Sequence, residues 1–364
     1  AQMLSNKVKK RYKHLKKRFA RQGIEVFRLY DWDIPEIRAV VDWYAGHLVI
    51  GEYVRKHSIP GWLEMMGEAA AGALGVPMEN VHLKARHAGW QDGKRYERID
   101  NTNRKIVVSE RDLKFYVNPC DYVDTGLFSD HRDTRQMVRD MAQDRDFLNL
   151  FCYTGTFSCY AAKGGARSTV SVDRSKSAID WVQENMVLND IPVIHQESMV
   201  LNDIPVIHQE SMVLNDIPVI HQENVEGFEE RINENNGVVS DGNNRSQRNI
   251  LVQAHTFDYL EKAKQKGLKF DLAVVDPPSY STSRNMRHRF DISSDHPALL
   301  KGVAGIMKKG GHLFFSTNHQ NFELDMDKLA PLELRDIKEI TSITIPEDYK
   351  TPAKQIHRCW KITI

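Results

Sequence analysis

The residues with the clearest chemical potential lie in LAVVDPPSYS, residues 272–281. Four apolar residues lead into Asp276, which predicts a strand that ends on a carboxylate, and open α/β sheets bind ligands at such strand ends. Pro277 and Pro278 lack N–H donors, so their loop is stiff and its carbonyls stay available as acceptors. Tyr280 offers an aromatic face on which a base can stack. The segment predicts a site for a planar, hydrogen-bonding ligand.

A second motif, DFLNLFCYTG, spans residues 146–155 and leads into a helical segment, 156–163. A strand that ends in a small-residue turn before a helix leaves backbone N–H groups free for a carboxylate or phosphate. The next predicted strand, STVSVD, ends at Asp173, where an acid can accept hydrogen bonds from ribose hydroxyls. G-x-G-x-x-G is absent, which favours an adenosine-containing ligand other than a dinucleotide. The alternative is an ordinary strand–turn–helix unit with a surface acid.

Both motifs need a parallel sheet to bring them together. Short apolar strands alternate with helical segments, and the predicted strands are 146–151, 168–173, 270–275 and 312–317. Such alternation predicts an α/β fold with a doubly wound, mostly parallel sheet. Residues 336–345 and 357–364 have strand character and would form an antiparallel edge. We assign this larger domain to residues 121–364.

Residues 23–120 predict a smaller α+β domain. Its strands are expected at 24–30 and 37–54, joined by a turn near residues 31–35, and again at 81–87 and 105–117. Residues 61–75 predict a helix that ends at Gly75. The predicted order is strand–strand–helix–strand–strand.

Residues 1–22 form a basic N-terminal helix or linker. Residues 7–21 contain nine basic residues and no acid, with a thin apolar stripe of Val8, Leu15 and Phe19. One interpretation is a solvated helix or tail, and the other is contact with nucleic-acid phosphates. The candidate RNA contacts are Lys9, Lys10, Arg11, Lys13, Lys16, Lys17 and Arg18.

The net charge of +1 over 364 residues hides an asymmetry. Residues 1–120 hold 22 Lys/Arg and 14 Asp/Glu, a net of +8, so the remainder carries −7. The positive net charge of the N-terminal part suggests a polyanionic partner. Four scattered cysteines and the absence of a long apolar run exclude a disulfide scaffold and a membrane helix, and favour the reduced cytoplasm.

The segment MVLNDIPVIHQES, residues 186–198, recurs as 199–211 and again, with a final Asn, as 212–224. A perfect 13-residue repeat matches no common solenoid period, so we attribute it to duplication of the coding DNA or a sequence-assembly error. The same origin explains the repeated His195, His208 and His221 better than a metal site, and we predict no metal. We expect an inserted loop at about 189–249.

Together the two motifs resemble the class I S-adenosylmethionine-dependent methyltransferases, and the Asp-Pro-Pro-aromatic loop resembles those that act on nucleobase nitrogens. Several longer segments narrow this resemblance. They are the two motif segments, DYVDTGLFSDHRDTR, RFARQGIEVFRLYDWDIPEIRAVVDWY and the terminal QIHRCWKITI. They resemble the K half of the bacterial 23S rRNA methyltransferase K/L family, which methylates guanine at N7. The L half, a guanine-N2 methyltransferase, is absent, so the chain is either a stand-alone K protein or a fragment, and a separate guanine-N2 enzyme is a candidate partner.

The resemblance implies a site for S-adenosylmethionine. The residues that match its binding motifs are Asn149, Phe151, Tyr153, Thr154, Gly155, Asp173, Arg174 and Ser175. Asp276, Pro277, Pro278 and Tyr280 match the loop where the methyl group meets the base. Residues 125–132 match a block that helps to close the site, and in it we select His131 and Arg132. The family has an acid after the third strand, and our alignment places His255 at that position. The alternative third strand, VIHQEN of the repeat, would place Glu223 there.

The resemblance implies methyl transfer to guanine N7 in 23S rRNA, free or in a large-subunit assembly intermediate. N7 carries a lone pair and no proton, so in-line attack needs alignment and desolvation but no general base. Making 5-methylcytosine usually needs a cysteine nucleophile, and HLFFSTNHQ has none. We read Cys152 and Cys159 as packing residues. The alternatives are an enzyme for another rRNA base and an inactive RNA-binding relative.

Overall fold

The computed structural model describes residues 1–54, 59–87, 100–195, 247–281, 290–319, 321–332, 334–351 and 355–364. Across these ranges, no helix has both the length and the apolar character needed to cross a membrane. His208, His221 and Glu223 of the repeat lie outside the described residues, as do the side chains of His195 and Tyr280.

The N-terminal part is a four-stranded sheet with two helices packed against it. Its elements are α1 (Gln2–Ala20), β1 (Val26–Asp31), β2 (Ala39–Tyr44), β3 (His47–Val54), α2 (Trp62–Leu74) and β4 (Val81–His87). The strands lie in the order β1-β2-β3-β4, and only β3 and β4 are parallel. The predicted stripe of Val8, Leu15 and Phe19, extended by Leu4, is buried in one core with Met66 of α2. Because this face is buried, α1 is a docked helix and not a free tail.

The predicted strand order of the small domain is wrong. Residues 37–54 form two strands, because Ala45 and Gly46 have φ of 47° and 99° and reverse the chain between β2 and β3. Residues 105–117 form a separate hairpin of β5 (Ile106–Glu110) and β6 (Leu113–Val117). The helix at 61–75 is confirmed, and Gly75 ends it with a left-handed φ of 70°.

The hairpin contacts the larger domain. Val108 and Phe115 are buried in one cluster with Tyr160 and Val182, and the rings of Phe115 and Tyr160 stack at 6.2 Å. The division at residue 120 stays a prediction, but the apolar face of the hairpin is covered from beyond it.

The larger domain is built on an eight-stranded sheet. Its helices are α3 (Arg132–Asp140), α4 (Thr156–Lys163), α5 (Lys176–Leu188), α6 (Thr256–Gln265), α7 (Ile292–Ala304), α8 (Met326–Leu329) and α9 (Thr341–Thr344). Its strands are β7 (Asp146–Leu150), β8 (Ser168–Asp173), β9 (Ile194–His195), β10 (Arg248–Gln253), β11 (Phe270–Val275), β14 (Met307–Thr317), β15 (Asp336–Glu339) and β16 (Arg358–Thr363), with a small hairpin of β12 (Tyr280–Ser281) and β13 (Phe290–Asp291).

The sheet order is β15-β16-β14-β11-β7-β8-β10-β9, with the run from β14 to β9 parallel and β16 and β15 antiparallel. Side chains alternate between its faces, so Leu148 packs with Leu299 of α7, while Phe147 packs with Phe157 of α4. Helices therefore cover both faces, and the doubly wound α/β fold after a small α+β domain is confirmed. This topology brings the ends of β7, β8, β10, β11 and β14 to one edge.

The predicted strand 336–345 is wrong beyond Glu339. The side-chain hydroxyl of Thr341 accepts the Cys359 N–H at 3.0 Å, a bond that a continuing strand would make with its backbone. The chain turns there into α9. The antiparallel edge itself is confirmed by the pairing of β15 and β14 with β16.

The ends of the predicted insertion, 189–249, belong to the sheet. Ile194 pairs with Ile250, and the Asn249 side chain donates to the Pro192 carbonyl at 2.9 Å. β10 is the strand beside β8, so the third strand is the one that leads to His255, as predicted. Residues 194–195 and 248–249 are therefore strand residues, and not part of an inserted loop as predicted.

Candidate active site

The turn between β7 and α4 is held in an unusual backbone conformation. Phe151, Tyr153 and Gly155 have φ of 54°, 49° and 74°. A Cβ on Gly155 would lie 2.4 Å from Cγ1 of Val182, so only glycine fits this approach of α4 to α5. No side chain caps α4, which leaves its first N–H groups available to a ligand. Two strained non-glycine residues are typical of a functional turn.

Asp173 lies at the end of β8 beside this turn. Its carboxylate accepts the Tyr153 N–H at 3.1 Å and the Ser175 N–H at 2.9 Å, one on each oxygen. Burial raises the pKa of Asp173, and these N–H donors oppose the shift. A carboxylate has about four acceptor sites, so Asp173 retains capacity for a hydroxyl donor.

Asn149 and Thr154 support the turn from behind. The buried Asn149 amide donates to Ser158 Oγ at 2.9 Å. The Thr154 hydroxyl donates to the Gly126 carbonyl at 2.6 Å. These two predicted residues therefore shape the turn with side chains that already have protein partners.

Aromatic rings surround the space between β7 and β10. Phe151 lies 6.0 Å from Phe290, which lies 6.3 Å from Phe257, and Phe257 stacks on His255 at 5.9 Å. Arg174 is exposed, and the Ser175 hydroxyl caps α5 by accepting the Ala178 N–H at 3.3 Å. This aromatic edge can cover a planar group.

The Asp276 carboxylate is fixed from two sides. Ser316 Oγ of β14 donates to one oxygen at 2.6 Å, and His131 Nε2 lies 3.6 Å from the other. The side chain is 27% exposed, so a ligand can reach it. Pro277 is buried and Pro278 half-buried beside it. The Tyr280 backbone pairs with Asp291.

The two residues selected in the 125–132 block have different surroundings. His131 faces Asp276, as expected for a residue that closes the site. Arg132 instead forms a buried ion pair with Asp348 and donates to the Val26 carbonyl at 3.0 Å. It joins β1 to a C-terminal loop, and we leave it out of the proposed cofactor site.

Sequence reasoning missed several residues that the structure brings to this edge. Phe128 is an exposed ring 5.3 Å from Tyr153, and Asp130 contacts both His131 and His357. Phe257 and Ser316 also belong here. Most of them lie in segments quoted for the family resemblance, but nothing in their spacing marks them as neighbours.

The predicted RNA contacts lie on the outer face of α1. Lys9, Lys10, Lys13, Lys16 and Lys17 are exposed. Arg11 donates to the Glu347 carbonyl at 3.0 Å, and Arg18 pairs with the Glu347 carboxylate at 2.5 Å. The lysines are therefore available to a polyanion, while the two arginines bind the C-terminal loop.

The fold and this edge define an S-adenosylmethionine-dependent methyltransferase with a Rossmann-like sheet, and the family described by that name matches residues 68–200. The chain belongs to the ribosomal RNA large subunit methyltransferase K/L family, whose cofactor is S-adenosylmethionine. It is 35% identical over 364 residues to methyltransferase K of Neisseria meningitidis, covering 98% of this chain and 86% of that protein. It is also 35% identical over 369 residues to methyltransferase K/L of Magnetococcus marinus, but spans only 43% of that protein.

Solved structures support the fold alone. A crystal structure of a protein described as a methyltransferase, complexed with SAH, covers 98% of this chain and 80% of its own with a TM-score of 0.65 at 18% identity. An S-adenosylmethionine-dependent methyltransferase from Agrobacterium tumefaciens covers 93% and 90% with a TM-score of 0.56 at 12% identity.

The residues present fit S-adenosylmethionine. The remaining acceptor capacity of Asp173 suits the ribose hydroxyls, the uncapped start of α4 suits the carboxylate, and the rings around His255 suit the adenine. Phe257 and His255 take the place of the acid expected after the third strand. An adenine at this edge would be held mainly by packing.

Proposed function

We propose that the chain transfers the methyl group of S-adenosylmethionine to N7 of a guanine in 23S rRNA, free or within a cytoplasmic large-subunit assembly intermediate. The observation that carries this proposal is Asp276, a reachable carboxylate fixed by Ser316 at the end of β11. Guanine presents two kinds of N–H donor on its Watson–Crick edge, and a fixed carboxylate accepts both.

S-adenosylmethionine supplies an electrophilic methyl group. Because guanine N7 has a free lone pair, the protein needs to orient the base and exclude water, and it needs no group to remove a proton. Asp276 would hold the base edge, with the stiff Pro277–Pro278 loop beside it. Asp173 and the turn at residues 151–155 would hold the cofactor.

The cysteines argue against the 5-methylcytosine alternative. Burial raises the pKa of the Cys152 and Cys359 thiols, and raises that of Cys159 to about 12. A thiol that stays protonated is a poor nucleophile. β14 ends at Thr317 and Asn318, where the cytosine enzymes of this fold place their cysteine.

The basic face of α1 supports an RNA substrate. Of its six exposed lysines, Lys7 pairs with Asp33, and the other five form no ion pair with an acid among the described residues. Such a positive surface attracts phosphates. The same helix is anchored through its buried stripe, so the charges are held in one place on the protein.

Nucleoside mass spectrometry tests the proposal. We expect 23S rRNA incubated with the protein and tritiated S-adenosylmethionine to gain label in 7-methylguanine. Label confined to 5-methylcytosine or 6-methyladenine would contradict it. Calorimetry that shows RNA binding without S-adenosylmethionine binding would instead support an inactive RNA-binding relative.

A further inference from the structure

A buried group of ionisable side chains lies behind Asp276. His131 ends a short turn before α3, and its ring stacks on that of His357 at 4.3 Å with 12° between the planes. His357 Nδ1 lies 3.0 Å from an oxygen of Asp130, and its Nε2 lies 3.1 Å from the hydroxyl of Thr344. Of these residues, His131 alone belongs to the predicted cofactor site.

The hydrogen-bond directions fix how the His357 ring is held. The Thr344 hydroxyl donates its only hydrogen to the Thr341 carbonyl at 3.0 Å, so its oxygen can only accept from His357 Nε2. Burial alone would raise the pKa of Asp130, but the hydrogen bond from His357 and the nearby Arg28 guanidinium hold it well below its ordinary value. Asp130 is therefore an ionised acceptor beside Nδ1 of His357, and Nε2 of His357 donates to the Thr344 hydroxyl oxygen.

The surroundings of His131 disfavour its charged form. Burial lowers its pKa, and His357 and Arg135 lower it further against the opposing effects of Asp276 and Asp130. A neutral imidazole carries one N–H. Nδ1 has no hydrogen-bond partner among the described residues, whereas Nε2 lies 3.6 Å from Asp276 and 3.7 Å from Asp130. The proton therefore belongs on Nε2, facing carboxylates.

A metal ion is the competing interpretation, because Asp130, His131 and His357 each offer a ligand atom and these atoms lie within 4.8 Å of one another. A histidine binds a metal in the plane of its ring. Two rings stacked almost parallel at 4.3 Å cannot both place one ion in their planes. The geometry favours a hydrogen-bonded network.

We propose that His131 is a positioning residue: Asp130 and the stacked His357 ring hold its imidazole so that Nε2–H faces Asp276 and orients that carboxylate as an acceptor for the target base. The inference rests on the proposed function. It assigns base selection to a unit of four side chains from three separate parts of the chain. Contacts of this kind are often long in a free enzyme and shorten when substrate binds.

Two substitutions of His131 test the inference. His131→Leu removes the donor, and we expect kcat/KM for 23S rRNA to fall about 10- to 100-fold, the effect of one hydrogen bond to a charged group. His131→Gln can reach Asp276 with an amide N–H and should recover most of this loss. The affinity for S-adenosylmethionine and the thermal unfolding midpoint, measured on both variants, serve as the control for folding.

A pH profile separates positioning from a merely structural role. The charged and titratable groups that face His131 are Asp276, His357, Asp130 and Arg135. His357→Gln removes a neighbour that lowers the pKa of His131, so His131 should gain its proton at a higher pH. We expect the acid limb of kcat/KM to move upward by up to about one pH unit.

The possible results separate a failure of the proposed function from a failure of the inference about His131. Absence of 7-methylguanine with the wild-type protein would contradict the proposed function. With an active wild type, normal kcat/KM in a folded His131→Leu variant, or an unmoved acid limb in His357→Gln, would overturn the inference alone. A loss confined to S-adenosylmethionine affinity would return His131 to the cofactor site. Activity lost to a chelator and restored by zinc would assign the cluster to a metal.

Discussion

Charge is used in opposite ways by α1 and by the region around His131. The lysines of α1 are exposed and face solvent, whereas charges near His131 are buried in pairs such as Arg132–Asp348 and Arg135–Glu110. Exposed charges are screened by salt and act at a distance. Buried pairs are costly to separate and therefore fix geometry. The first region can attract a substrate and the second can orient it.

The largest effect on activity is expected at Asp276, which lies beside the buried charges and is partly exposed to solvent. Asp276→Ala removes the proposed acceptor for the base and should lower kcat/KM for 23S rRNA about 10²- to 10³-fold. Tritium transfer from S-adenosylmethionine measures this. Calorimetry should show unchanged cofactor affinity, and a variant that keeps a large part of wild-type turnover would contradict the role of Asp276.

The buried pairs should dominate stability. Asp348→Asn leaves the Arg132 guanidinium without its charge partner, and we expect the free energy of unfolding to fall by about 3 kcal/mol or more. Urea denaturation gives the value. The matched control is Asp180→Asn, whose partner Lys176 is 75% exposed against 2% for Arg132, and it should cost less than about 1 kcal/mol. Equal losses in both variants would remove the distinction between the regions.

Removing the exposed charges should change binding without changing the fold. With Lys9, Lys10, Lys13, Lys16 and Lys17 replaced by Gln, RNA affinity should fall. The slope of log Kd against log salt should flatten by roughly 0.7 to 0.9 for each phosphate that the helix no longer neutralises. Filter binding at several salt concentrations measures both. The control is Lys262→Gln with Lys264→Gln, two exposed lysines of α6. An equal change in the control would mean that α1 is not the RNA-facing surface.

Asp173 predicts a pH dependence of cofactor affinity. Burial raises its pKa above the ordinary 3.8, so it gains a proton at a higher pH than an exposed aspartate and then loses an acceptor for the ribose. We expect affinity for S-adenosylmethionine to weaken as the pH falls through this raised pKa, by roughly tenfold per pH unit below it. Calorimetry should show this limb in the wild type and a weak, flat profile in Asp173→Asn. A wild-type profile that stays flat down to pH 3.8 would exclude the role.

The smallest effect is expected for the repeat. Deleting residues 199–224 removes two of its copies, and halving a loop changes its closure free energy by only about 0.6 kcal/mol. Methyl transfer and the thermal midpoint should stay close to those of the intact chain. Loss of folding would show that these residues are part of the sheet.

Much of the sheet could be predicted because each strand is marked by a pattern in its own few residues. The strands at 168–173 and 270–275 and the helix at 156–163 match their predicted bounds, since an apolar run or a turn of small residues acts over a few neighbours. The errors at 37–54 and 336–345 arise where local strand character is overridden. In one case a tight turn reverses the chain, and in the other a threonine hydroxyl takes a backbone bond.

The sequence by itself determined the family, the cofactor class and the two motifs, because the residues of each motif are contiguous and need only a strand end to work. The tertiary structure decided which side chains meet there. Asp130, His131, His357 and Asp276 are separated by up to 227 positions and become neighbours only when α3, β11 and β16 pack together. The pKa values of Asp130 and His131 depend on burial and on neighbouring groups, and both are set only when the chain has folded.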